Sequence, residues 1–335
     1  MDQPTRPSRA PASSLAIWAG LLTIYLVWGS TYLGIAIAVE TMPPFVMAAI
    51  RFVIAGLLLA SLVALRDRRA IRRPSRRELV DAVLVGTLLV AVGNGLVSWG
   101  EQTVPSGITA LLVGLMPAWL ALIARVAGGD RLPTLAGVGI GLGLVGVAIL
   151  AWPFGTAVGP LDPAGLGAVL VAPIGWATGS FYASRRARLP SPPLFATALQ
   201  MLAGGAVLGL VATLTGEVAR FDPAAVSDRS LVALAYLTLI GSLLAYTTYA
   251  WLLSAAPLSK ISTYAYVNPV VAVVLGAVVL GEPITLRTAI AAGVIVAAVA
   301  LVVSARAGWG SRSEGVTRPV ARRPRIGRPE PAIDP

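Results

Sequence analysis

The sequence predicts an all-α integral membrane protein of ten transmembrane helices, arranged as two inverted five-helix repeats. Three observations carry that reading. Of 335 residues, 56% are hydrophobic and only 12% charged, where a soluble domain carries about a quarter charged residues. The apolar residues fall into blocks of roughly 20, the length that crosses a ~30 Å hydrocarbon core as a helix. And a set of punctuating residues recurs at a fixed distance along the chain.

The blocks fall at about 15–38, 44–65, 79–100, 107–126, 134–152, 164–184, 193–214, 230–254, 259–280 and 285–305, each long enough to span. The first is too long for a signal-peptide core and is read as an uncleaved helix. Trp99, Pro105, Pro117 and Gly129-Asp130 recur 152 positions later as Trp251, Pro257, Pro269 and Gly281-Glu282. Upstream the offset is 150: GSTY (Gly29 to Tyr32) answers GSFY (Gly179 to Tyr182), a difference ascribed to loop length. Each repeat holds an odd number of spans, so the second enters the membrane from the opposite side. Inverted repeats of this kind are a signature of secondary transporters. The chain divides into an N-terminal tail (1–14), a first repeat (15–152), an external linker (153–163), a second repeat (164–305) and a basic, disordered tail (306–335).

The net charge of +11 is distributed as topology demands rather than as a nucleic-acid surface. RDRRAIRRPSRR (Arg66 to Arg77) carries seven arginines, SRRAR (Ser184 to Arg188) three, and the tail from Arg306 seven more. With both termini cytoplasmic, every cluster lies inside, and only Arg220, Arg229 and Arg287 fall in or beside outer loops. The clusters are suited to anionic lipid headgroups, and the expected location is the plasma membrane.

Cysteine and histidine are both absent. That removes thiol and imidazole chemistry and the usual zinc ligands, and no carboxylate pair lies within the spans. No enzymatic activity, cofactor or metal is expected.

WGSTYLGIAIAVETMPPFVMAAIRF (Trp28 to Phe52), EQTVPSGITALL (Glu101 to Leu112) and the run from Tyr249 to Glu282 resemble the drug/metabolite transporter superfamily, specifically its EamA-type ten-helix members. The resemblance covers about residues 15–305. It implies export or exchange of small metabolites such as amino acids, or of toxic, drug-like compounds, by alternating access. Ala36 stands where relatives often carry a basic residue, so no charge contact is transferred to it. Uptake, and a scaffold or sensor without transport, remain alternatives.

Several residues are candidates for the solute pathway. Lys260 is the single lysine among 25 arginines. Tyr264 and Asn268 follow it at i+4 and i+8, one helical face expected to look inward. A lysine at that depth could also snorkel to headgroups. Pro117 and Pro269 should kink spans 4 and 9 and leave the carbonyls of Val113 and Ala265 without their helical partners. Trp18, Trp99, Trp152 and Trp251 sit near span ends as interfacial anchors. Trp28, Trp119 and Trp176 lie in mid-span and, with Tyr32, Asn94, Tyr246 and Tyr249, are expected to line an aromatic-polar cavity; aromatic core packing is the competing reading. Arg51 and Glu101 are expected to form an ion pair at an outer gate. Glycines of span 5 (Gly137, Gly139, Gly141, Gly143) and small residues of span 10 are read as scaffold, or as a homodimer interface.

Overall fold

The structure, a computed structural model, is described for residues 13–67, 71–151 and 161–314; Trp152, most of both tails and part of the first arginine cluster lie outside them. Span 1 is Ser14–Ala38, span 2 Pro44–Asp67, span 5 Thr134–Ala151, span 6 Pro163–Arg185, span 7 Pro193–Leu214 and span 10 Leu286–Glu314. Span 10 therefore continues as helix past residue 305, where a disordered tail was expected to begin. Nine helices among the described residues are long and apolar enough to cross a membrane, and the shorter apolar helix Tyr264–Leu280 completes ten.

Side chains that satisfy orphan N–H groups set where helices begin. Ser13 accepts from Ala16 N, and Ser75 forms a reciprocal capping box with Glu78. Ser227, 152 positions on, caps its helix through Ser230 N at 3.2 Å, and Asp162 does so through Gly165 N at 2.6 Å. Gly129 (φ 70°) and Gly281 (φ 68°) end spans 4 and 9 in the left-handed region, which favours glycine.

Four spans depart from simple helices. Span 3 runs as Arg76–Gly86, a π-helical segment Thr87–Asn94, and Gly95–Gly100. Span 8 repeats that plan as Asp228–Tyr236, π-helical Leu237–Leu244, and Ala245–Ala255. Both π segments have 8 residues, yet the second begins two residues early relative to the 152-residue register of the flanking caps and tryptophans. Span 4 is broken at Gly114-Leu115 into Ser106–Val113 and Met116–Gly128. Span 9 is broken at Ser262-Thr263 into Leu258–Ile261 and Tyr264–Leu280. The prolines act unequally: Pro117 opens the second piece of span 4, where its missing N–H costs nothing, whereas Pro269 sits inside the long piece of span 9.

Packing follows the repeat. Span 2 packs on its counterpart span 7, and span 5 on its counterpart span 10; span 1 packs on spans 8 and 9, while span 6 packs on spans 3 and 4. Small residues permit the close approaches. A Cβ on Gly29 would stand 2.6 Å from Val271, and one on Gly139 would stand 2.8 Å from the Ala298 carbonyl. Gly143 and Gly146 likewise face Leu115 and Ile295, so one stripe of span 5 is consumed within the chain, whereas Gly141 faces open space and Gly137 meets only the Leu132 side chain, at 4.0 Å. Exposed leucines and valines such as Leu22, Leu57, Val83, Leu144 and Val278 form the surface that lipid covers.

Candidate functional site

A cavity of about 190 Å³ lies at the centre of the bundle. Its wall brings together residues from spans far apart in sequence: Trp28 and Tyr32, Arg51, Asn94, Pro117, Trp176, Tyr246 and Tyr249, and Tyr264, Asn268 and Pro269. Val113 and Ala265, each four residues before one of the two prolines, also lie in the wall.

One side is aromatic. The Trp28 ring centroid is 5.0 Å from Tyr264, 5.2 Å from Tyr249 and 5.7 Å from Tyr246, and Tyr249 meets Tyr264 edge-on at 6.1 Å. These separations and tilts suit aromatic quadrupoles. The other side is polar. Arg51 is 3% exposed and its Nε donates to Ser242 Oγ at 3.0 Å. Its guanidinium carbon lies 4.7 Å from the Phe52 ring centroid, so this buried cation is stacked as well as bonded. Asn94 Nδ2 donates to the Leu89 carbonyl at 3.1 Å within the π segment. The Asn268 amide, in the orientation its neighbours require, donates to the carbonyls of Tyr25 and Tyr264 at 3.2 Å each, joining span 1 to span 9.

The two ends of the bundle differ. At the end carrying the span 3–4 turn, the N-terminal half of span 4 packs against the C-terminal half of span 9, and span 1 also touches span 4. Glu282 completes this closure, accepting from Ser106 N at 2.7 Å and Gly107 N at 3.0 Å. Glu217 accepts from Phe45 N and Val46 N and so caps span 2 at the same end. At the opposite end, among the described residues, no packing of that extent joins the C-terminal half of span 4 to the N-terminal piece of span 9. Asp130, the counterpart of Glu282, bonds Arg185 at 2.7 Å instead. Spans 3 and 6 are nonetheless lashed there: Asp81, 1% exposed, accepts from Arg77 Nε, Tyr182 Oη and Arg188 N.

Three expectations are corrected. Lys260 is exposed and outside the cavity wall, because the break at Ser262-Thr263 interrupts the face it was expected to share with Tyr264 and Asn268. Trp119 packs partly buried against the central apolar core, not the cavity. Arg51 and Glu101 make no ion pair: Arg51 bonds Ser242, and neither oxygen of Glu101 has a hydrogen-bond partner at full bonding geometry. A buried guanidinium usually has a partner and Glu101 is the nearest acid by depth, but the two groups interact only through space.

Sequence reasoning missed Thr31, Leu89, Ala110, Gly114, Met116, Ser180 and Gly241 in the wall. Thr31 and Ser180 carried a signal, each lying one helical turn from a cavity tryptophan (Trp28 and Trp176). Asp81 had only its negative charge beside an arginine-rich segment.

Comparison with known proteins agrees with this architecture. The EamA-like transporter family matches residues 15–152 and again residues 163–304. The inner membrane transporter YedA of Escherichia coli K12 is 40% identical over 86% of this chain and 90% of its own. The transporter YvbV of Bacillus subtilis is 27% identical over 84% of this chain and 90% of its own. A probable terminal-alkyne amino-acid exporter of Streptantibioticus cattleyicolor is 28% identical over 41% of this chain and 45% of its own. A solved crystal structure covers 88% of this chain and 100% of its own at a TM-score of 0.59 and 22% identity, a likeness of fold. A multi-pass helical chain, with the family matched once in each half and a polar-aromatic cavity between the halves, is a member of the EamA-like transporter family.

Proposed function

We propose that this protein carries a small amphipathic organic solute across the plasma membrane by alternating access, in the direction of export or in exchange. The observation that carries the reading is the central cavity, sealed at the Glu282 end and splayed at the Asp130 end. A cavity of about 190 Å³ lies below the roughly 300–1,000 Å³ of drug-sized pockets, which favours a metabolite over a bulky dye. Aromatic rings suit an apolar side chain, Asn94 and Asn268 suit polar groups, and the Arg51 guanidinium suits a carboxylate. The relative from Streptantibioticus, named as an amino-acid exporter, supports a solute of amino-acid type.

Arginine clustering supports a cytoplasmic setting for both termini and for the splayed end, which favours entry of the solute from inside. Anionic headgroups are the natural partners of those arginines, and the outward-facing Gly137 and Gly141 leave a surface on which a second copy could pack.

The test is flux in proteoliposomes. Saturable, competable movement of an amino acid or related metabolite is expected, reduced at least tenfold by Asn268→Ala at equal protein level. Correctly inserted protein that moves none of a broad panel of metabolites would leave a scaffold or sensor as the better reading.

A further inference from the structure

Among the described residues, five buried side-chain polar atoms lack a hydrogen-bond partner at full bonding geometry: Ser98 Oγ, both Glu101 oxygens, Ser106 Oγ and Thr109 Oγ1, with the Ala36 amide of span 1 the nearest donor toward the Glu101 carboxylate. All are oxygens, and all flank the single turn that joins span 3 to span 4. Ser98 lies three residues before Glu101, the αR C-cap of its helix, and Ser106 and Thr109 are three apart on the next helix, so each pair lies on one side of its segment. The residues are 0%, 7%, 1% and 0% exposed in that order. Buried polar atoms in folded proteins are nearly always paired, so five together require an explanation.

The second repeat supplies an internal control. At the 152-residue offset, Ser98, Glu101, Ser106 and Thr109 are replaced by Ala250, Leu253, Leu258 and Ile261. Where the carboxylate is missing, every hydroxyl is missing too. The four residues behave as a set that only one end of the protein possesses.

We propose that Glu101, supported by Ser98, Ser106 and Thr109, is the binding site of a monovalent cation, Na⁺ or a proton, that this protein uses in addition to its solute. Oxygen-only ligands with a carboxylate among them suit a hard cation. The charges around the site agree. Glu282 faces it from the span 9–10 turn and repels Glu101, Arg51 faces it from span 2, and Tyr32 from span 1. Asp162, at the start of span 6, is held by Gly165 N and Thr103. Ser106 Oγ and Glu282 Oε2 crowd the same point, 2.9 and 2.4 Å from where a Cβ on Gly276 would stand. Docking Glu282 onto span 4 therefore brings a second carboxylate toward Glu101, and a cation lowers the repulsion. Occupancy is thereby linked to closing this end, as coupling requires.

The inference deepens the transporter reading but is tested without solute. The purified full-length protein is melted in detergent in NaCl, KCl or choline chloride at equal ionic strength, from mildly acidic to mildly alkaline pH. A Tm raised by several degrees in Na⁺ alone, abolished in Glu101→Gln and weakened in Thr109→Val, identifies sodium. A pH-dependent Tm indifferent to the salt cation, whose difference from Glu101→Gln follows protonation of that carboxyl, identifies the proton. If Glu101→Gln does not fold, Glu101→Asp must displace the sodium or pH midpoint, and Thr109→Val must still weaken any sodium response. A wild type that responds to neither variable differently from these variants overturns the proposal, whatever the flux assay shows.

Discussion

Gly129-Asp130 and Gly281-Glu282 are the same piece of backbone built twice. Both glycines adopt positive φ, 70° and 68°, and both acids return their N–H to the carbonyl six residues back, Ala124 and Gly276, at 3.1 Å each. The carboxylates nevertheless do different work. Glu282 reaches across and caps the start of span 4, while Asp130 turns to Arg185 at the rim. An identical local fold with two destinations for its charge is what an inverted-repeat carrier held in one of two states should show. In the opposite state Asp130 is expected to reach the first amides of span 9, at Leu258 and Ser259, and Glu282 to let go of span 4.

The hardest way to break this comparison is to wedge the sealed end. Gly276 meets Glu282 Oε2 at 2.4 Å from a built Cβ, whereas its counterpart at the splayed end is already an alanine, Ala124. Overpacking of this kind costs about 1–3 kcal/mol, enough to shift a two-state equilibrium roughly fivefold to 150-fold. Gly276→Val should cut flux on that scale and admit a thiol reagent to a cysteine placed at Thr109. Gly293→Val, which would meet open space, is the control and should do neither. Equal effects from the two would show that crowding at Gly276 is not specific to the gate.

A gentler version removes only charge. Glu282→Gln keeps the shape but turns two charge-assisted bonds into neutral ones, a loss of about 1–2 kcal/mol. A cysteine at Gln102 should then be labelled roughly fivefold to thirtyfold faster than in the parent, from the same side as one at Thr41. Unchanged labelling would mean that packing alone holds this end shut.

The contrast also measures what sequence can convey. Spans, repeats and most of the cavity wall were legible because each rests on a local, periodic signal: block length, fixed spacing, or aromatic residues on one face. The tertiary partners of the charges were not. Glu282 and Asp130 occupy equivalent positions in sequence, and only the packing of spans 4 and 9 decides which one caps a helix. The π segments at 87–94 and 237–244 carry no composition that distinguishes them from ordinary helix. Arg51 and Glu101 were matched by burial and depth, yet a serine on span 8 was the nearer partner for the guanidinium.

A smaller effect is expected at the splayed end. The Asp130–Arg185 pair is half exposed, with side chains 34% and 50% accessible, and pairs of that kind contribute about 0–1 kcal/mol. Asp130→Asn should leave Tm nearly unchanged in this state. Flux should still fall a few-fold if, as the proposed cycle requires, the reciprocal cap forms in the opposite state. A variant with parental flux would show that the two acids are equivalent in sequence but not in the transport cycle.

Lys260 should matter least, and its test sharpens the comparison most cheaply. Its backbone is fixed, with N–H donated to the Pro257 carbonyl at 3.0 Å and its own carbonyl accepting from the Thr263 hydroxyl at 2.5 Å. Its side chain is exposed and lies apart from the cavity. A solvated ammonium near a helix end has little to lose on truncation, since it can already reach water or headgroups. Lys260→Ala and Lys260→Arg should therefore both stay within about threefold of parental flux, while Asn268→Ala, one break further along the same span, loses at least tenfold. Flux is compared at equal inserted protein. If Lys260→Ala instead abolishes transport, the short piece Leu258–Ile261 must carry the lysine inward as the splayed end closes, and that end would gate with a cation where the sealed end gates with a carboxylate.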